Sequence, residues 1–402
     1  MTGRDGLPRG LRLAALLVAG TLLVSACTTP ILANDPLVFP PPPTPSAEPS
    51  RFPDPLPISL PRDDGPHGRL TEWWYYTGHL RTPTGRRFGF EAVVFRAERG
   101  SVPTAWAAHL ALTDEQGGAF HYAQRSEIGP EVDHSPVDAS GEPTGFDLQV
   151  RGLSPTIIAA GAPPLATSPW RLAGANGTDH IDAALAPEEA AASGAAFGLQ
   201  LDLQATKPPA FHDGDGFVDF GPAGSSYYYS RTRLTATGAL DLDGQHMTVD
   251  GIAWFDHQWG NFMSIGGGGW DWFAINLDDG VDLTFSIVRD ASLQPILRYG
   301  TRVDAVGAVA NLDASAFEID AGGPWTSPTS GQTYALGWSV DARPALGLLL
   351  QVTPDLDNQE LDARATSGVA YWEGSSRVTG SALGSSTPLG GQAYVEITRY
   401  GN

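Results

Sequence analysis

Apolar and polar residues alternate in short runs along most of this chain, and each run ends in a cluster of turn residues. That period of two is the mark of half-buried strands. Glu72 to Leu80 and Arg87 to Phe95 flank Thr82-Pro83-Thr84-Gly85, and Trp106 to Thr113 and Phe120 to Arg125 flank Asp114 to Gly118. Each pair predicts a hairpin. Further strands are predicted at Phe197 to Leu203, Thr232 to Asp241, Met247 to Ala253, Trp270 to Leu277 and Val281 to Val288. Tyr334 to Val340, Leu348 to Val352, Val369 to Trp372 and Ala393 to Thr398 complete the set. Helical periodicity is nearly absent. The best candidate, Ala183 to Ala195, is interrupted by Pro187 and Gly194 and reads as a short helix or a loop. The pattern predicts an all-β chain of meandering hairpins, whose free edges closure into barrels would remove.

The N-terminal pattern is different. Arg4, Arg9 and Arg12 precede an apolar run from Leu13 to Val24, followed by Ser25-Ala26-Cys27. The run is short for a membrane span and has the layout of an export signal. Leu23-Val24-Ser25-Ala26-Cys27 resembles the lipobox of bacterial lipoproteins, which implies residues 1–27 as signal peptide and Cys27 as the lipidated residue. The expected location is the cell envelope, at its periplasmic or extracellular face, anchored to a membrane through that lipid. Cys27 is the sole cysteine, so no intrachain disulfide can form. Residues 28–61 are rich in proline, including Pro40 to Pro43, and predict an extended spacer. The strand count then suggests two units, 62–230 and 231–402.

With 402 residues there is ample chain for a large core, and a net charge of −21 argues against nucleic acid as a partner. Lys207 is the only lysine, which excludes most lysine-based chemistry.

The richest stretch is Trp254-Phe255-Asp256-His257-Gln258-Trp259-Gly260, following directly on a predicted strand. Continued as a strand, it places Trp254, Asp256 and Gln258 on one face and Phe255, His257 and Trp259 on the other. A carboxyl among indoles has its pKa raised, and suits protonation of an apolar substrate. Asp256 reads as such an acid, or as a turn acid capping backbone N–H groups. His257 would orient the acid or position water, or be a buried histidine satisfied by a carbonyl. Trp254, Trp259, Trp270 and Trp272 would face a developing cation, or simply fill a core.

Three segments together resemble the AttH and carotenoid 1,2-hydratase (hydroxyneurosporene synthase) group, often labelled secreted hydrolases. They are Pro66 to Leu80, with Glu72-Trp73-Trp74-Tyr75; Tyr228 to Gly260, with Asp256-His257-Gln258-Trp259-Gly260; and Tyr371-Trp372-Glu373-Gly374 with Ala393 to Thr398. The resemblance implies two tandem lipocalin-like β-barrels packed side by side. It also implies addition of water to an isoprenoid-like, lipophilic substrate, without a cofactor. His257 and Trp259 match the motif of the hydratases, and Trp270-Asp271-Trp272 occupies the neighbourhood of a further acid, making Asp271 the alternative proton donor. Glu72, Trp73, Tyr76 and His109 are expected beside the substrate. Glu72 also has a plainer reading, an ion pair with Arg125 or Arg231. A non-catalytic lipid-binding lipoprotein and a hydrolase of an ester or lactone remain as alternatives, although no G-x-S-x-G elbow is present. His67, His79, His109 and His121 fit no metal-binding spacing, so no metal is expected. Asp213 to Asp219 reads as a solvated turn, and Gly266 to Gly269 as a pocket lip.

Overall fold

The computed structural model describes residues 56–100, 102–152, 168–220, 224–262 and 267–400. The expected signal peptide with Cys27, and the linker up to residue 55, lie outside the described residues.

The chain is almost entirely β, in two large antiparallel sheets with a lipocalin-like fold. The first comprises β1 (Thr71–Arg81), β2 (Arg87–Arg99), β3 (Val102–Asp114), β4 (Ala119–Ile128), β5 (Phe146–Val150), β6 (Trp170–Ala175), β7 (Thr178–Ala184) and β8 (Phe197–Ala205). Short β9 (Ala210–Phe211) and β10 (Phe217–Asp219) follow, then long β11 (Ser225–Leu242) and β12 (Gln245–Gly260). The main path runs β4-β3-β2-β1-β12-β11-β8-β7-β6-β5. The sheet curls until its two ends meet, and Arg125 on β4 joins them. Its guanidinium donates to Val150 O on β5 at 3.1 Å and to Ser168 O at 2.9 Å, pairs with Glu189 at 2.7 Å, and lies 4.2 Å from the centre of the Trp170 ring.

The second sheet comprises β13 (Gly269–Leu277), β14 (Asp282–Arg289), β15 (Pro295–Val303), β16 (Val309–Leu312) and β17 (Glu318–Ala321). A small ribbon of β18 (Pro324–Thr326) and β19 (Thr333–Ala335) intervenes. The sheet resumes with β20 (Trp338–Ala342), β21 (Leu348–Pro354), β22 (Glu360–Asp362), β23 (Ala370–Ala382) and β24 (Leu389–Arg399). The expected hairpins are present, and Pro187–Ser193 is a short helix. The change of sheet falls between Gly260 and Gly269, whereas position 230/231 lies inside β11. The β11–β12 hairpin, which the division by strand count assigned to the second unit, belongs to the first sheet.

Each sheet wraps its own apolar core, and a third cluster forms where they meet: Tyr75, Val93, Trp254, Trp272, Ala274 and Tyr394. Burying large apolar side chains contributes roughly 1.5–3 kcal/mol each, so this cluster opposes separation of the sheets. Close approach is enforced at Gly89, where an added Cβ would lie 2.5 Å from Ser375 Cβ across the junction. Buried Asp282 on β14 locks the same junction, accepting from Lys207 and Arg233 at 2.6 Å, Asn276 at 2.7 Å and Thr232 at 2.9 Å.

Candidate active site between the sheets

Strand β12 is central because it pairs with both β1 and β11. Asp256 lies opposite Tyr75 on one side and Ser230 on the other, and Gln258 opposite Trp73 and Tyr228. The expected alternation holds. Phe255, His257 and Trp259 enter the first sheet's core, while Trp254 joins the cluster between the sheets and Asp256 and Gln258 line a cavity there.

Apolar side chains from both sheets wall that cavity: Trp73, Phe95 and, just after β12, Phe262 on one side, and Trp270, Trp272 and Val288 on the other. Tyr75, Tyr228, Tyr299, Tyr371 and Tyr400 add phenols, and the acids are Asp256, Glu91 and Glu396. The cavity encloses about 80 Å³ of free space. One water needs only about 10–15 Å³ of such space, so the interior is not packed solid.

Asp256 is held by three donors: Tyr228 Oη at 2.6 Å on Oδ2, and Ser230 Oγ at 2.5 Å and Trp254 Nε1 at 2.6 Å on Oδ1. Burial pushes its pKa up to about 6 even though all three bonds favour the carboxylate. Behind it, Ser230 Oγ lies 2.7 Å from His212 Nε2, and His212 Nδ1 lies 3.0 Å from Thr301 Oγ1. Burial lowers the His212 pKa to about 3, so this imidazole is neutral at ordinary pH.

Other acids surround the cavity. Tyr371 Oη donates to Glu91 Oε1 at 2.8 Å, and burial raises Glu91 to about 8. Thr398 Oγ1 donates to Glu396 at 2.7 Å, and burial raises Glu396 to about 7. Tyr75 Oη donates to Glu373 at 2.6 Å; burial, then the charges of Glu91 and Glu396, raise Glu373 well above the carboxylate range. Among the described residues no cationic side chain pairs with any of these four carboxyls. None of Glu91, Glu373, Glu396, Tyr228 and His212 was expected as a site residue, although Tyr228, Glu373 and Glu396 lie in the segments that carry the family resemblance. The three glutamates did carry a signal, a lone acid inside an apolar strand (Phe90-Glu91-Ala92, Trp372-Glu373-Gly374, Val395-Glu396-Ile397).

Several expected site residues lie elsewhere. His257, on the opposite face from Asp256, points into the first sheet's core and cannot orient it. Its Nε2 lies 3.0 Å from Glu72 Oε1, which also lies 2.7 Å from His67 Nδ1. Burial works to raise the Glu72 pKa, but the charge of His67 and the hydrogen bonds from both histidines prevail and hold it at about 2. Glu72 therefore pairs with neither Arg125 nor Arg231, which hold Glu189 and Asp64. Trp259 stacks on His67 at 4.0 Å within that same core, and Tyr76 donates to Asp179 there. Asp271 faces away from the cavity and is clamped by Arg289 and Arg399, which removes it as a proton donor. Trp254 lies behind the cavity wall as a donor to Asp256. His109 supports the wall from behind, its Nδ1 lying 2.6 Å from Tyr371 Oη. Trp73, Trp270 and Trp272 line the cavity.

The ligand atoms of His67, Glu72 and His257 lie within 4.8 Å of one another and are the best metal-binding set near the motif residues. Each bonds another member of the set through Glu72, and the Arg96 guanidinium lies 3.8 Å from Glu72, while the buried His257 Nδ1 has no partner among the described residues. Of Asp213 to Asp219, residues 213–216 form a turn, in which Asp215 accepts from Phe217 N, and Phe217–Asp219 is strand β10.

Fold and cavity together define a lipocalin-like protein of two docked sheets with an acid-bearing, aromatic cavity at their junction. The chain belongs to the AttH-like family, whose model matches residues 51–400. An AttH protein of Nitrosomonas europaea is 28% identical, with a TM-score of 0.68, covering 86% of this chain and 98% of that one. Kievitone hydratase from Nectria haematococca shares the fold at 17% identity and a TM-score of 0.60, covering 86% of this chain and 93% of that one. No curated protein matches the sequence.

Proposed function

We propose that the protein is an exported, lipid-anchored hydratase that adds water to a carbon–carbon double bond of an isoprenoid-like, lipophilic substrate. The observation that carries this reading is Asp256, a buried carboxyl with a raised pKa in the wall of an aromatic cavity. A hydratase on the same fold is consistent with it. Protonated Asp256 gives its proton to one alkene carbon. The cation left on the other carbon faces the indoles of Trp73, Trp270 and Trp272 and the nearby carboxyls. Water attacks that carbon, and the oxonium passes its extra proton back to the Asp256 carboxylate. One C–H and one C–O bond form, the π bond is lost, and the acid is restored. The Leu23-Val24-Ser25-Ala26-Cys27 sequence supports the anchor, and the proline-rich segment would act as its spacer.

The test is incubation with acyclic isoprenoid alkenes in H2(18)O, read by mass spectrometry. Asp256→Asn is expected to abolish incorporation of the label while leaving substrate affinity nearly intact. Undiminished turnover by that variant would remove Asp256 from the chemistry, and tight binding of the alkenes without any turnover would make the protein a carrier.

A further inference from the structure

The acids around the cavity are more numerous than a single protonation step requires, and their arrangement has a consequence for what can bind. Asp256, Glu91 and Glu396 line the cavity and Glu373 lies beside them, reached through Tyr75. Among the described residues, no arginine, lysine or histidine contributes to the lining. The titratable groups facing the acids from the surrounding strands are phenols, Tyr75 from β1, Tyr228 from β11, Tyr299 from β15, Tyr371 from β23 and Tyr394 from β24, with Tyr400 just beyond it; Ser230, Trp254 and Thr398 add neutral donors. The two imidazoles in contact with this network, His109 through Tyr371 and His212 through Ser230, are both held neutral by burial. Glu91 is fully buried, and its Oε2, like that of Glu373, has no hydrogen-bond partner in the protein. A buried carboxylate oxygen without a partner is costly.

We propose that this cavity is a binding site for lipophilic ammonium ions, and that seating the cation expels a proton from the surrounding carboxyls. This rests on the reading of the cavity as the ligand site and adds the charge of the ligand. Carboxyls in an apolar box hold their protons because no cation is present to offset the charge. An ammonium supplies it, ionises one of them and lies against the faces of Trp73, Trp270 and Trp272. The overall charge of −21 favours delivery of cations over anions. The same features that would stabilise a transient carbocation would hold a permanent cation of similar shape.

The experiment is calorimetric titration of the full chain with benzyltrimethylammonium, its neutral isostere neopentylbenzene and the anion phenylacetate, each in two buffers of different ionisation enthalpy. The ammonium is expected to bind at least tenfold more tightly than the isostere, to bind more tightly as pH rises, and to release protons; phenylacetate is expected not to bind. Glu91→Gln should weaken the ammonium and leave the isostere unchanged. If the isostere binds as well as the ammonium, or ammonium binding releases no proton, the charge preference is wrong while the cavity remains a ligand site. If neither binds, both readings fall.

Discussion

Asp256 and His257 are chain neighbours whose side chains serve opposite faces of one sheet. The carboxyl accepts from Tyr228, Ser230 and Trp254 at the junction of the sheets, and the imidazole bonds Glu72 inside the first sheet's core. The motif that looks like one acid–imidazole pair is therefore two separate devices back to back. One faces the cavity and the other holds strands together.

Substitutions should separate them. Asp256→Asn keeps the shape but loses the transferable proton, so turnover should fall by about 10²–10⁴-fold with little change in melting temperature. His257→Ala removes a buried ring and leaves Glu72 short of a partner. That variant should lose roughly 2–4 kcal/mol of stability, read by urea denaturation, while ligand affinity of the cavity is retained. A stable His257→Ala protein with impaired ligand binding would contradict the assignment.

Asp282 is the ionic lock between the sheets. Its replacement by Ala strands Lys207 and Arg233 in a buried setting, with an expected loss of about 3–5 kcal/mol. Proteolysis between the two sheets, in 261–268, should speed up in parallel. Unchanged denaturation would show the lock to be dispensable.

Stability should fall as pH rises. Folded Asp256, Glu396 and Glu91 keep their protons up to about 6, 7 and 8, against ordinary values of 3.8, 4.5 and 4.5. Their contribution is complete below the ordinary values and is lost as pH climbs through the raised ones. Glu72 works the other way: at about 2 in the folded state, its contribution is present above 4.5 and lost as pH drops toward 2. The melting temperature should therefore decline across the neutral range, and Glu91→Gln should flatten that decline. A melting temperature that climbs from mildly acid to mildly alkaline pH would show that the cluster is not protonated.

The proposed lipid anchor has a direct readout. Cys27→Ser should move the protein from the membrane fraction to the soluble one and abolish labelling by a radioactive fatty acid. Membrane retention by that variant would refute the lipid tether.

Much was legible along the chain because strand signals are local. Alternation fixed β1, β2, β12 and β13 and assigned Asp256 and His257 to different faces. The pairing of those two in one mechanism, and of Glu72 with Arg125 or Arg231, came from sequence proximity and residue type. Neither reveals which layer lies against which face. Asp271 misled for the same reason: its indole neighbours do line the cavity, but the acid points the other way, to Arg289 and Arg399.

Residue pattern alone specifies an all-β chain, its main hairpins, and a strand that carries an acid on one side and an imidazole on the other. Period-two alternation is decided by neighbouring residues alone. That the acid's face meets a second sheet and encloses a cavity depends on contacts between distant parts of the chain. The contacts that build it, Tyr75 with Glu373 and Tyr371 with Glu91, span 298 and 280 residues. Chain folding brings such partners together, and no local pattern records the encounter.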